Sequence, residues 1–541
     1  MKRSLEQDAD PAANTAAPEL PTAAAAVPAS PLHAAKAQRT GEPLSLPTDP
    51  APEPAPAEPR HISTFPLGRI NPLENLRLEA IYVAAQRRSA DARKEMAKIP
   101  KGARGADKDP AKRWGAATSR PDAAGASADA ADKARRPKKK VALLMSYCGT
   151  GYQGMQINPD VPSIELDVHK ALAMSGAVSP DNAMDPAKTS FMRCARTDKG
   201  VHAAGQLVSV KLIVEDVDII ERINAFLPAQ IRVWGYARVP KHFHAKNNCD
   251  ARIYEYLMPT YVLAKADPKF YPLSAVAVAA GVTPETTGRV FSEPISIPES
   301  TPEELAERRK YTISPEELAA VRAILGQFVG THNFFNYTQS KKPTDKGMQR
   351  YITSFTCSDP FVREGIEWVS IKVKGQSFML HQIRKMIGLT IMMLRTNTPP
   401  SLVPKTFADV RLNIPKAPAL GLLLERPLFE SYNTLSVSKG TEREKIDFDL
   451  YSDKIQEFKE QWIYKAQIAD EIKDGHFAEW IRVVDANADD YGWYLVADGT
   501  ISDAHKPVHV HTGPSGRGQL AGSASNRLVD GDDEEEVGED D

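Results

Sequence analysis

The sequence predicts an α+β protein built from two successive halves, each an antiparallel sheet with helices packed on one side. Three observations predict it. Strand-like and helix-like apolar runs alternate from Val141 to about Asn433. The alternation starts again after a break rich in Pro, Ser and Thr. The flanking termini are too polar or too rich in Ala and Pro to offset the entropy of ordering. A chain of 541 residues also exceeds what one core organises, so several units plus unstructured segments are expected.

Residues 1–137 are expected to be mostly disordered, with helical apolar spacing only at 72–98. Composition switches at KARRPKKK, Lys133–Lys140, where Arg135–Lys140 is a candidate nuclear import signal. The first half, 138–260, runs through VALLMSY, a helix near IELDVHKALAM, QLVSVKLIV, a helix near DIIERINAFL, RVWGYARV and RIYEYLM. Residues 261–309 read as a surface insertion. The second half, 310–435, has a helix in SPEELAAVRAILGQF, the strand WVSIKVKG and a long helix in SFMLHQIRKMIGLTIMMLRT. A charged amphipathic helical extension follows at 436–500, then a disordered acidic tail at 501–541.

The formal charge of −2 is uneven along the chain: the last twelve residues hold nine acidic groups and no basic one, leaving about +7 on the rest. The body can attract a polyanion while the tail repels one. Cys148, Cys194, Cys249 and Cys357 have no C-x-x-C spacing and read as free thiols of a reducing compartment. No run approaches the 18 apolar residues of a membrane span, so a soluble intracellular protein is expected. Glu6, Asp8 and Asp10 argue against a mitochondrial transit peptide.

Three segments carry the candidate chemistry. In FMRCARTDKGVHAAGQLVSVKL, from Phe191, Asp198 lies between Arg196 and Lys199 in a turn ahead of a strand. An Asp before a Gly turn is by itself only a turn-former. In CDARIYEYLMPT, alternation puts Arg252, Tyr254 and Tyr256 on one strand face and Ile253, Glu255 and Leu257 on the other. In the long helix, Leu380, Arg384, Ile387, Ile391 and Leu394 form one stripe, so Arg384 lies within an apolar face and requires a polar or anionic partner.

The first segment resembles the TruA family of pseudouridine synthases, whose R-T-D-x-G-V-H-x-x-G-Q signature is filled at every fixed position from Arg196 to Gln206. R-x-Y-x-Y at Arg252–Tyr256 and GQSFMLHQIRKMIG resemble the family's second and third motifs. KKKVALLMSYCGTGYQGMQ and GTHNFFNYT make the resemblance closest to the eukaryotic group, over roughly 138–490. The resemblance implies two ferredoxin-like halves around a basic cleft. Asp198 would be the nucleophile, Tyr254 would stack on the base and could serve through its phenol in removing the C5 proton, and Arg384 would pair with Asp198, keeping it ionised. Lys199, His202, Gln206 and Arg252 would bind substrate with Arg196, which would fill the gap left by an extruded uridine; Leu422 in ALGLLLERP would line the base pocket.

The implied substrate is tRNA at several positions including the anticodon stem and loop, with small nuclear and messenger RNA as further candidates and the nucleus as the site of action. Isomerising uridine breaks C1′–N1, joins C1′ to C5 and releases the C5 proton, so no cofactor or metal is needed. Asp198 could attack C1′ or take the C2′ proton, and both routes remain open. The extension would cover the surface through which bacterial relatives dimerise, which favours a monomer. Two other readings are weighed. A non-catalytic RNA-binding protein of the same fold is disfavoured by the intact Asp198, Tyr254 and Arg384. A metallohydrolase using His505, His509 and His511 is disfavoured because these lie in a polar tail, as H-x-x-x-H-x-H without a helix or a nearby carboxylate pattern.

Overall fold

VALLMSY becomes the first long strand because its side chains are covered on both faces, and such a strand is continuously apolar rather than alternating. The computed structural model describes residues 136–158, 161–183, 186–284, 297–438 and 443–502. The possible helix at 72–98 and most of the acidic tail lie outside them. Among the described residues the strands are β1 (Lys139–Tyr147), β2 (Met192–Arg193), β3 (His202–Leu212), β4 (Ile231–Arg238) and β5 (Ala251–Pro259). They continue with β6 (Gly330–Asn333), β7 (Gln349–Cys357), β8 (Phe361–Arg363), β9 (Ile366–Gly375) and β10 (Leu422–Leu428).

They form one sheet in the order β4-β1-β3-β10-β5-β9-β7-β6, with β2 on β3 and β8 on β9. β4, β1 and β3 of the first half form one wing, while β5, also from the first half, lies in the other wing between β10 and β9 of the second half. The wings meet at β10, which runs parallel to β3 (Leu423 beside His202, Leu424 beside Ala203) and antiparallel to β5 (Leu422 opposite Tyr256, Leu424 opposite Tyr254). Every other pairing in the sheet is antiparallel. The α+β class therefore holds, with the two wings fused edge to edge.

The longer helices are α1 (Ile164–Met174), α2 (Ile219–Ala225), α3 (Pro315–Gly326), α4 (Gln382–Thr396) and α5 (Glu430–Ser438). At the start of α3, the Ser314 hydroxyl accepts from the Glu317 amide and the Glu317 carboxylate accepts from the Ser314 amide. Helix α4 is buried almost all round, from Gln382 to Thr396, so its apolar surface is far wider than one stripe. Leu380, placed on that stripe from spacing, lies before the helix and is 38% exposed, because His381 turns left-handed at φ 62° and α4 begins after it.

The segment expected as a surface insertion starts inside the molecule. Tyr261, Val262, Leu263 and Tyr271 are buried in the second-half core, and Tyr271 donates to Asp485 at 2.9 Å. Pro268 and Ser274 start short helical turns there, whereas Pro298 and Pro302 further along are exposed. The basic run at Arg136–Lys140 also enters the fold. Arg136 pairs with Glu215 and Asp216, Lys138 donates to Ser179, and buried Lys140 donates to the Ser190 carbonyl.

The C-terminal extension is α6 (Ser452–Phe458), a π-helical segment (Lys459–Tyr464), α7 (Lys465–Asp474) and α8 (His476–Ala486). Phe458 and Ile463 pack on Ala204 of β3 and Leu423 of β10. Phe477, Trp480 and Val484 join the second-half core. No helix among the described residues is long and apolar enough to cross a membrane, and all four cysteines are free.

Candidate active site

The loop bearing Asp198 joins β2 to β3 and is clamped by residues 148–155. Met155 donates its amide to the Thr197 carbonyl at 3.1 Å, and the Gly200 amide donates to Tyr152 O at 3.2 Å. Two glycines allow this approach. A Cβ on Gly149 would lie 2.3 Å from the Val201 carbonyl oxygen, and one on Gly154, at φ +99°, would lie 2.7 Å from the Thr197 carbonyl oxygen. Below the loop, the Tyr147 and Thr197 hydroxyls are 2.8 Å apart. Gln206 accepts from the Ala195 amide at 3.2 Å and donates to the Ala195 carbonyl at 2.9 Å.

Register shifts by one residue here. Met145 pairs with Gln206 but Tyr147 pairs with Ala203, a bulge that turns Gln206 beneath the loop. Asp198 itself is half-buried, while Arg196 and Lys199 on either side are exposed.

His202 and Gln206, assigned to substrate from the signature, are 2% and 0% exposed and serve as supports instead. The Nδ1 of His202 accepts from the Gly149 amide at 3.0 Å, and burial lowers its pKa to about 4, so the ring is neutral and fixed as an acceptor. A pattern of conserved-looking polar residues cannot separate those that face a ligand from those that hold the loop facing it.

Tyr254 sits on β5, two strand spacings from β3, about 10 Å. Its phenol pKa is pushed well up by burial. Arg252 opposes the shift, while Cys194, Tyr147 and Asp198 add to it. Asp198 and Tyr254 thus share one electrostatic neighbourhood across β10. The ring meets Phe378 edge-on at 5.3 Å, which brings the loop before α4 over it. Arg252 ties the segments together, donating to the Cys194 carbonyl at 2.9 Å and the Gln376 carbonyl at 3.2 Å. Tyr256, expected to share the polar face, is buried and donates to the Pro418 carbonyl at 2.8 Å. Leu422 lies opposite Tyr256 at 8% exposure, packed in the second-half core.

Arg384 is 1% exposed, and its Nε donates to the Ala417 carbonyl at 2.7 Å while the Ala417 amide donates back to the Arg384 carbonyl at 3.1 Å. The loop 414–417 can pack this tightly on α4 because Gly388 has no side chain; a Cβ there would lie 2.1 Å from the Pro415 carbonyl oxygen. Tyr147, Tyr152, Gly149, Gly154 and Phe378 were not read as site residues. The glycine spacing in CGTGYQG was the available signal for Gly149, Tyr152 and Gly154, and Tyr147 immediately precedes it. Phe378 lies within the third motif, GQSFMLHQIRKMIG, and that motif was its signal. Among the described residues no three His, Cys, Asp or Glu side chains gather to hold a metal, and His505, His509 and His511 lie outside those residues.

Residues 324–430 match the family model described as tRNA pseudouridine synthase. The chain is 42% identical over 416 residues to "tRNA pseudouridine synthase 1" of Yarrowia lipolytica, covering 68% of this chain and 78% of the relative. It is 39% identical over 351 residues to mouse "Pseudouridylate synthase 1 homolog", covering 64% and 74%. It is 34% identical over 458 residues to "tRNA pseudouridine synthase 1" of Schizosaccharomyces pombe, covering 66% and 86%. With identity of this order across most of both sequences, the chain belongs to the tRNA pseudouridine synthase family.

Proposed function

We propose that Asp198 carries the isomerisation, with Tyr254 against the target base and Arg384 as the cation that holds Asp198 ionised. As a family member the protein converts uridine to pseudouridine in tRNA. The observation that carries the residue assignment is Asp198 half-buried in a loop anchored on several sides and acting electrostatically on Tyr254. A carboxylate held this way loses little entropy on reaching C1′ or the C2′ proton. The raised phenol pKa of Tyr254 favours the protonated form, so the phenol supports the base by contact and hydrogen bonding, and loss of the C5 proton requires a neighbouring acceptor.

Arg384, buried in the first turn of α4 after the loop that carries Phe378, supplies the cation that this reading needs. Exposed Arg196 and Lys199 suit phosphate contact and filling of the stack after a uridine is extruded, a step that costs a few kcal/mol. Action at several tRNA positions including the anticodon stem and loop, on small nuclear and messenger RNA, in the nucleus and as a monomer, belongs to the same proposal. The basic run Arg135–Lys140 supports nuclear residence, and the extension packed over β3 and β10 supports the monomer.

The test is tritium release from tRNA labelled at uridine C5. The wild type should release tritium; Asp198→Ala should release none yet bind tRNA, since phosphate contacts supply most affinity. Arg384→Met should lose both turnover and melting temperature. Normal release by Asp198→Ala would sink the assignment.

A further inference from the structure

Next to the active-site arginine, three cations converge from two segments. Lys385 follows Arg384 on α4, and because neighbouring helix positions face different ways, it points to the 336–338 segment instead of the site. Its ammonium donates to the Asn336 carbonyl at 3.2 Å and the Thr338 carbonyl at 3.1 Å. Segment 406–417 wraps the same spot. Asn336 donates to the carbonyls of Thr406 (2.9 Å) and Val410 (2.8 Å) and accepts from the Leu412 amide at 3.0 Å. This brings Arg411 over the Phe335 ring at 5.9 Å, with one nitrogen donating to the Lys341 carbonyl at 2.9 Å. Lys416 adjoins Ala417, the residue that exchanges two hydrogen bonds with Arg384.

The cluster is costly to the free protein. Burial, then Arg411 and Lys416, lower the Lys385 pKa to about 8. Among the described residues, neither Lys385 nor Arg411 makes an ion pair with a carboxylate. Arg411 is exposed, and Lys385 and Lys416 are partly so. Lys385 and Arg411, each already using donors on backbone carbonyls, keep remaining donors for an anion from outside, and Lys416 adds its charge beside them.

We propose that Lys385, Arg411 and Lys416 form a phosphate-binding site that anchors the RNA backbone of the substrate beside the Arg384 end of the active site. The proposal rests on the reading that this cleft acts on tRNA. A phosphate there satisfies the spare N–H donors and removes the repulsion among the three cations, so binding energy falls on the backbone and is independent of base identity. The anchor would fix the register of the strand while the uridine turns.

Binding of a tRNA transcript is titrated at several salt concentrations in full-length Asp198→Ala protein, where turnover does not interfere. Arg411→Gln and Lys416→Gln should each weaken binding about five-fold and make the dependence of log Kd on log salt shallower by about one. Lys385→Arg should bind better than Lys385→Met. Lys454→Gln, an exposed lysine on α6, should change binding less than about two-fold. Unchanged affinity and salt slope in all three sites, in variants with parental melting temperatures, would overturn the anchor; so would an equal loss in Lys454→Gln. Unchanged binding with normal tritium release by the wild type removes the anchor and leaves the catalytic reading intact. Lost binding with no release by the wild type does the reverse.

Discussion

His202 lies four residues from Asp198, and its burial ties the active-site loop to pH. The ring is neutral in the fold with a pKa near 4, against an ordinary value of 6.5. Between those values the unfolded chain binds the extra proton and the folded chain does not. Stability is therefore intact above about 6.5 and is lost as pH falls towards 4, by up to about 3 kcal/mol. Thermal melts across this range should show the loss. His202→Gln, whose amide oxygen can still accept from Gly149, should show a flatter acid limb; an unaltered limb would assign the acid sensitivity elsewhere. The signature around Asp198 was readable residue by residue. What it could not reveal is that His202 and Gln206 face inward, because that depends on the β3 bulge and on Gly149 passing above the ring.

At the level of elements, the extension is joined to the sheet by charges that alternation alone had turned away from the site. Glu255, 1% exposed on β5, takes Lys459 at 2.6 Å and Ser370 at 2.7 Å, and also accepts from Tyr464. Burial alone would raise its pKa, but Lys459 and Lys372 hold it at about 2. Lys459 also reaches Glu425 of β10 at 2.7 Å, and the same pairing holds its own pKa well above the usual range. It sits at the start of the π-helical turn, where the wider helix brings Lys459 and Tyr464 onto one carboxylate. Removing one partner of a buried pair leaves a charge without compensation. Lys459→Met should cost about 3–5 kcal/mol in denaturant unfolding, and Glu255→Gln in the same chain should restore much of it. A loss below about 1 kcal/mol would mean that the pair is solvated. The strand Ala251–Pro259 was legible from its alternation; the partner 204 residues away was not, since nothing local in YSDKIQEFKEQWIY marks one lysine as buried.

For the molecule as a whole, β3 and β10 share only two paired positions, so the backbone link between the two wings of the sheet is thin. Side chains of the extension reinforce it. Phe458 meets Trp234 of β4 edge-on at 5.9 Å, while Arg395 of α4 pairs with Asp485 of α8 at 2.7 Å. One run of helices thus grips both wings. A chain ending at residue 451 should expose Ala204, Leu423 and Glu255 and appear as aggregate or protease-sensitive protein in size-exclusion and limited-proteolysis experiments. A soluble, monodisperse truncation with the parental melting temperature would show that the sheet stands alone.

The sequence by itself determined the α+β class, the major strands and helices of both halves and the motifs that carry Asp198, Tyr254 and Arg384. These follow from local periodicity and from short motifs whose residues lie within a few positions of one another. Tertiary structure decided what depends on distant segments meeting. It fused the two wings through β10, carried Tyr261 and Tyr271 into the core, assigned Tyr256, His202 and Gln206 to support, and buried Lys459 against Glu255. Each outcome is set by which surface covers a residue, and burial is a property of the partner segment as much as of the residue itself.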